Sequence, residues 1–410
     1  MNPKEVSEVK QERQRKRPRR VLASIDGAGI WNMFYGNSPT NEDLREMVEG
    51  YRDTDVGKIV WAFTYGDKTN YRSRFGVFEA ARPEAAMKDS DYTRSINPPQ
   101  NALMEKGIVY HDIVAEHLHS MGIKFEAMIR PSLQYESPLD TNRKGFVAEH
   151  PEFRIRHADG SPVEKLSWAY PEVRGFTLSL IREIAERFDI DGVNIAFVRL
   201  NLCMGWEKPV LDAFRAKGFN DNPKNVGEND SRIRKVRAEF LLQFMRDARK
   251  LLDEVGEKKE KRLGLSAWAW ADSSGPCAWS PLFHVDYRAM MKEKLLDSVI
   301  IHDSTVADEE DIAIAHANGC KYYLAPRGGF QVALDGYARG MDGMAWWDAD
   351  GRRSNYDFWK LFRVAGDPET LKRTMASPPP APEKKFITIR KINGMSVSGK
   401  DLWQSNYAGG

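Results

Sequence analysis

Between Val21 and Ala376, a short run of β-branched or aromatic residues followed by a longer amphipathic stretch recurs eight times, and this alternation constrains the fold more than any other feature of the chain. The candidate strands are residues 21–26 (VLASID), 58–64 (KIVWAFT), 123–129 (IKFEAMI), 192–198 (GVNIAFV), 263–269 (LGLSAWA), 298–302 (SVIIH), 321–325 (KYYLA) and 343–347 (GMAWW). Repeated strand–helix units build a parallel sheet, and eight of them closing on themselves give an α/β fold of the (β/α)8 barrel type, expected over residues 21–376. Helical periodicity is clearest at 176–188, where Leu178, Ile181, Ile184 and Ala185 recur on one face with Arg182, Glu183, Glu186 and Arg187 outside, and again at 232–255. About sixty residues separate the third strand from the fourth, and a comparable stretch follows the fourth. In a barrel such excess goes into βα loops, which carry binding and catalysis.

The flanks read differently. Residues 10–20 (KQERQRKRPRR) hold seven basic side chains and one acidic one, so residues 1–20 are expected to form a solvated, mobile basic arm. Residues 377–384 begin SPPPAP, a stiff proline-rich linker, and residues 385–410 form a short tail with one alternating strand, 386–389 (FITI), expected to pack back on the barrel. The whole chain balances 61 basic against 59 acidic side chains, which makes nucleic acid a poor candidate partner. No stretch approaches the ~20 apolar residues of a membrane helix, and residues 1–20 lack the apolar segment of a secretory signal. The chain as written reads as soluble and cytoplasmic, although a protein lacking its leader would look the same and could be periplasmic or secreted. Cys203, Cys277 and Cys320 are widely spaced without CxxC or histidine-rich partners, so no disulfide framework, metal site or cofactor is expected. Oligomeric state leaves no mark.

The segment 150–196, HPEFRIRHADGSPVEKLSWAYPEVRGFTLSLIREIAERFDIDGVNIA, resembles the family-10-like glycosyl hydrolases, a group of glycosyl-hydrolase-like barrels. The parts that carry the resemblance are His150-Pro151-Glu152 with Asp159-Gly160, the helix start Pro171-Glu172-Val173-Arg174, and Asp189-Ile190-Asp191-Gly192 opening the fourth strand. Further echoes are 295–299 (LLDSV) and 342–348 (DGMAWWD). The resemblance covers most of the barrel and implies a glycosidase fold with carbohydrate as substrate. Relatives commonly carry an aspartate in the fourth strand where this chain has Ala196, so their strand-four carboxylate does not transfer.

Glycoside hydrolysis needs two carboxyl groups roughly 5 to 9.5 Å apart, rising from the C-terminal ends of the strands. Glu207, in Gly205-Trp206-Glu207-Lys208-Pro209, is the favoured general acid, because an aromatic neighbour and a cation can hold it in a shaped, partly dry site; the competing reading is a surface glutamate paired with Lys208. Asp272, Asp303 and Asp348 are the candidates for the second carboxylate, and Asp350 stands nearby. Trp268 and Trp270 lie on one side of the pleat leading to Asp272 and read either as sugar platforms or as barrel packing. Asp26 opens a glycine-rich turn that runs to Trp31 and is expected to bind sugar hydroxyls or cap the loop. Asn194, Trp347 and His302 complete the candidate substrate contacts, with His302 placed to orient a carboxylate or a hydroxyl. Arg130, Arg199 and Arg327 fall at strand ends, where they would either grip an acidic sugar or pair with the aspartates. His117 and His119 precede the third strand and read as packing or solvent residues. Three functional readings follow: a glycosidase acting on a poly- or oligosaccharide, a non-hydrolytic carbohydrate-binding barrel for which Ala196 speaks, and a metal-dependent sugar isomerase or hydrolase, which would need more ligands than His302-Asp303.

Overall fold

A computed structural model describes residues 18–26, 39–78, 102–131, 145–198, 203–228, 230–270, 285–349 and 355–379, together with the backbone of 386–387 and 402–403. Eight parallel strands carry the barrel: β1 Val21–Ile25, β2 Val56–Tyr65, β3 Lys124–Arg130, β4 Gly192–Ala196, β5 Gly264–Trp270, β6 Ser298–Ser304, β7 Lys321–Pro326 and β8 Gly343–Trp346. Each pairs with its neighbours in chain order, and β1 pairs with both β8 (Val21 opposite Met344) and β2, which closes the sheet. The expected strands all form, with ends displaced by no more than two residues.

The strands are almost continuously apolar because both faces are buried. Outward residues such as Ile59, Trp61, Phe125, Val193, Leu265 and Val299 join the layer between sheet and helices, whereas Leu22, Val60, Met128, Ala196, Trp268, Ile300 and Ala345 fill the lumen. The principal barrel helices are α1 Asn41–Glu49, α2 Tyr110–Ser120, α3 Pro171–Arg187, α4 Ser231–Lys258, α5 Tyr287–Lys292, α6 Glu309–Ala317, α7 Phe330–Ala338 and α8 Tyr356–Phe362. Local chemistry sets their starts: Thr40 and Asp43 form a reciprocal capping box on α1, Pro171 occupies the first turn of α3, and the Asp230 side chain accepts from the Arg232 amide at α4. The long connections appear as expected, with an antiparallel hairpin (Arg154–Arg156 with Pro162–Leu166) after β3 and an extra helix, Lys208–Ala216, after β4. His117 and His119 lie outside the barrel, bonded to Glu49 and Asp191 at 2.6 and 2.8 Å.

One feature departs from expectation. The basic arm does not run as far as residue 20: Arg19 donates to the Val56 and Met121 carbonyls at 2.8 Å each, and Arg20 to the Asp342 and Met341 carbonyls, so both seal the N-terminal rim. Glycine is required beside them, since a Cβ at Gly57 would lie 2.1 Å from the Arg19 carbonyl oxygen and one at Gly343 2.0 Å from that of Arg20. Of the tail's expected strand, 386–389, the described part is Phe386–Ile387, paired antiparallel with Leu402–Trp403; the rest of the tail lies outside the described residues.

Two positions before the apolar lumen residues, on the same faces of their strands, the lumen is polar. Lys58 and Glu126 form an ion pair at 2.5 Å, Ser266 donates to Glu126 at 2.8 Å, and Asn194 donates to Ser266 at 2.6 Å. Burial disfavours the Lys58 cation, but Glu126, Tyr323 and Asp297 together more than offset this and the Lys58 pKa rises. Breaking a buried pair from one side leaves an uncompensated charge. Glu126→Ala is therefore expected to lower unfolding free energy by about 3 to 5 kcal/mol, and Lys58→Met in the same chain to recover part of that loss, as read from urea unfolding midpoints.

Candidate functional site

The C-terminal ends of the strands form the barrel mouth, and the polar half of that mouth is built around Asp26. Arg130, at the end of β3, donates from Nη1 to both Asp26 oxygens at 2.8 and 3.0 Å. The Tyr65 hydroxyl donates to the Asp26 carbonyl, and the Arg130 guanidinium lies 5.1 Å over the Tyr65 ring. The Asp26 amide donates to Asp348 Oδ1 at 3.3 Å, while the Asp348 amide donates to Ser24 Oγ at 3.2 Å, which ties the end of β8 to that of β1. Arg130 is thus engaged internally, the ion-pairing alternative rather than a free grip for an acidic sugar.

The other half is aromatic. The rings of Trp270 and His302 meet edge to face at 4.6 Å, those of His302 and Trp347 at 5.7 Å, and those of Trp268 and Trp347 at 4.9 Å. Trp268 Nε1 donates to His302 Nδ1 at 3.0 Å. An indole N–H only donates, so Nδ1 must be the accepting nitrogen and the neutral ring carries its proton on Nε2. The indole N–H groups of Trp270 and Trp347 are buried and have no hydrogen-bond partner among the described residues. An orphaned buried donor costs about 1 to 3 kcal/mol.

Asp303 and Asp348 end β6 and follow β8, and each adopts a left-handed backbone with φ of 51°. Aspartate tolerates this region better than most residues, at a cost of about 1 kcal/mol, and such conformations gather at functional sites. Arg327, 45% exposed, reaches Asp303 only at 4.0 Å.

Three expectations need correction. Glu207 is 1% exposed and is saturated by structural partners: it accepts from the Ser167 hydroxyl, from the Gly205 amide at 3.0 Å and from the Arg156 amide at 3.3 Å. Its carboxylate therefore pins the β3 hairpin to the loop after β4, and it is neither open to a sugar nor a surface group, since Lys208 pairs with Asp212 instead. Asn194 is 0% exposed and belongs to the polar lumen below the mouth. Trp268 is likewise 0% exposed and acts through His302 rather than as a platform. Trp31, Arg199, Asp272 and Asp350 lie outside the described residues. Tyr65 and Ser24 were missed. Ser24 follows Leu22 by the strand period and was readable from it, whereas a register shift in β2 between Ala62 and Thr64 brings Tyr65 opposite Arg130 against simple alternation. Among the described residues, no group of three or more His, Cys, Asp and Glu side chains is arranged to hold a metal ion, and no helix is long and apolar enough to cross a membrane.

No family model matches the sequence, and no curated protein matches it. Among solved structures, the chain is similar to alpha-L-fucosidase isoenzyme 2 from Paenibacillus thiaminolyticus, with 12% identity and a TM-score of 0.50; the match covers 87% of this chain and 50% of that one, so the chain spans half of that protein's length. It is also similar to the PgaB (BpsB) glycoside hydrolase domain from Bordetella bronchiseptica, with 11% identity and a TM-score of 0.51 over 85% of this chain and 99% of that one. At these identities the likeness establishes the barrel fold.

Burial raises the Glu207 carboxyl above its ordinary 4.5, and the hydrogen bonds from Ser167, Arg156 and Gly205 lower it only in part. The folded state then binds this proton more tightly than the unfolded state, so the associated stability is present below pH 4.5 and is lost as pH rises through the elevated value. Glu207→Gln is expected to remove that loss from the stability–pH profile, and Glu207→Ala to cost about 3 kcal/mol by leaving three donors without an acceptor, both measured by urea unfolding across pH.

Proposed function

We propose that this (β/α)8 barrel is a glycoside hydrolase that binds a poly- or oligosaccharide across its mouth and cleaves it with two carboxyl groups. The observation that carries the reading is the aromatic wall itself: two buried indole donors without acceptors among the described residues, beside the His302 ring, suit a ligand with apolar ring faces and many oxygen acceptors. The similarity in fold to a fucosidase and to a glycoside hydrolase domain supports it.

Asp348 and Asp303 are the proposed catalytic pair. The amide hydrogen bond to Oδ1 orients Asp348, the proposed nucleophile or base, and Asp303 is the proposed proton donor. Its contact with exposed Arg327 is long and solvent-screened. Arg327 is also the side chain that would engage an acidic sugar, because Arg130 already holds Asp26. Trp270, Trp347 and His302 would bind the sugar, with Asp26 bracing the acidic side of the site.

A second reading, a barrel that binds carbohydrate without cleaving it, is favoured by β4: Ala196 and Val198, which pack in the lumen at its C-terminal end, carry no carboxyl group. A reducing-sugar release screen over neutral and acidic glycans separates the two. Hydrolysis is expected, with Asp348→Asn and Asp303→Asn each lowering kcat about 10³-fold while glycan binding stays within a few-fold of the native protein. Full activity in both variants would sink the assigned pair, and binding without release on any glycan would favour the second reading.

A further inference from the structure

On the outer side of β2, a cavity of about 220 Å³ lies between the start of α2 and the segment that follows β2. Tyr71, Phe78, Leu103, Met104, Ile108 and Val109 give it a largely apolar wall, and two exposed arginines, Arg72 and Arg187, complete the lining. The cavity is separate from the mouth, because Tyr71 and Leu103 belong to the layer between sheet and helices rather than to the lumen.

The two arginines are tethered to each other and to the cavity. Arg187, in the last turn of α3, donates from Nη1 to the Arg72 carbonyl at 2.6 Å, and its guanidinium lies 5.4 Å over the Tyr71 ring. Arg72 Nε donates to Met104 Sδ at 3.4 Å, which holds that guanidinium against the cavity wall. Neither guanidinium forms an ion pair with a carboxylate among the described residues, although Asp112 is near enough to Arg187 to feel its charge. Glu183, one helical turn before Arg187, is already taken by Ser73, Arg74 and Tyr71. Nε and Nη2 of Arg187 and both terminal nitrogens of Arg72 are thus left without acceptors among the described residues.

Two cations tethered close together without a counter-charge repel, and one anion shared between them relieves that repulsion. Planar guanidinium donors match the two oxygens of a carboxylate. The space behind them suits a single apolar ring, since a cavity of about 150 Å³ already admits benzene. Asn70 spends its side-chain N–H on the Ala62 carbonyl, and His111 is packed against the rings of Tyr110 and Phe63, so recognition of a charged group falls to the arginines.

We propose that this cavity is a binding site for a small aromatic carboxylate, its ring held among Tyr71, Phe78 and Met104 and its carboxylate on Arg72 and Arg187. The site is independent of the chemistry assigned to the mouth.

Benzoate and its neutral isostere benzamide are the probes, followed through the Met104 methyl signal by NMR and through affinity by calorimetry at low salt. Benzoate is expected to shift that methyl saturably and to bind at least about tenfold more tightly than benzamide, the ratio that charge-assisted hydrogen bonds supply. In the double variant Arg72→Gln, Arg187→Gln, altered only at exposed positions, benzoate affinity is expected to fall to that of benzamide while benzamide still binds. Ile108→Trp fills the cavity, leaves both arginines in place and is expected to abolish the benzoate-dependent shift. Absence of a saturable Met104 shift in the native protein would overturn the proposal, and so would equal affinity for the two probes. Benzoate binding that survives the loss of both arginines, or a shift that survives Ile108→Trp, would overturn it as well.

Discussion

Closing eight strands into a barrel buries both faces of every strand, and the rest of the structure depends on how the inward face is spent. Because side chains alternate with period two, every second residue of each strand enters the lumen, at a depth set by the strand stagger. The lowest level is polar, held by the Lys58–Glu126 pair with Ser266 and Asn194. Above it Val60, Met128, Ala196, Trp268 and Ile300 make a dry apolar waist. Past that waist lie the polar groups of Asp26, Arg130 and His302 and the rings of Trp270 and Trp347. The waist keeps the charges of the two ends apart and gives the mouth a rigid floor.

The mouth is asymmetric, and the asymmetry has chemical content. On one side Asp26, Arg130, Tyr65 and Ser24 satisfy one another and fix Asp348. On the other, Trp268 uses its only donor to set the tautomer of His302, while Trp270 and Trp347 keep donors that the protein does not satisfy. A closed polar network rigidifies, whereas orphaned donors in a rigid wall raise the affinity for whatever brings acceptors to them. The left-handed backbones of Asp303 and Asp348 aim side chains from strand ends that regular extended geometry would direct elsewhere.

The barrel was legible because it rests on a repeated local pattern. Strands such as 58–64 and 321–325 are apolar on both faces, a signal that needs no knowledge of distant contacts. The mouth residues His302, Trp270, Trp347 and Asp348 were legible for the same reason, since position at a strand end implies position at the C-terminal face. Glu207 was misread because its neighbours in sequence, Trp206 and Lys208, suggested a shaped, partly dry catalytic site, whereas its partners Ser167 and Arg156 come from the preceding loop. Asn194 was counted among the substrate contacts and Trp268 was left open between platform and packing, because depth in the lumen depends on strand stagger, which no single strand records. Tyr65 escaped because one extra residue in β2 inverts the alternation.

The central claim is that the mouth binds carbohydrate against the aromatic wall. Its most direct test is a crystal structure of the protein with an oligosaccharide bound, chosen from the glycans that bind most tightly. The account predicts a sugar ring packed on Trp270 or Trp347, with ligand oxygens accepting from their indole N–H groups and from His302 Nε2. A sugar bound elsewhere, or a mouth in which both indole donors stay without acceptors in the complex, would contradict it.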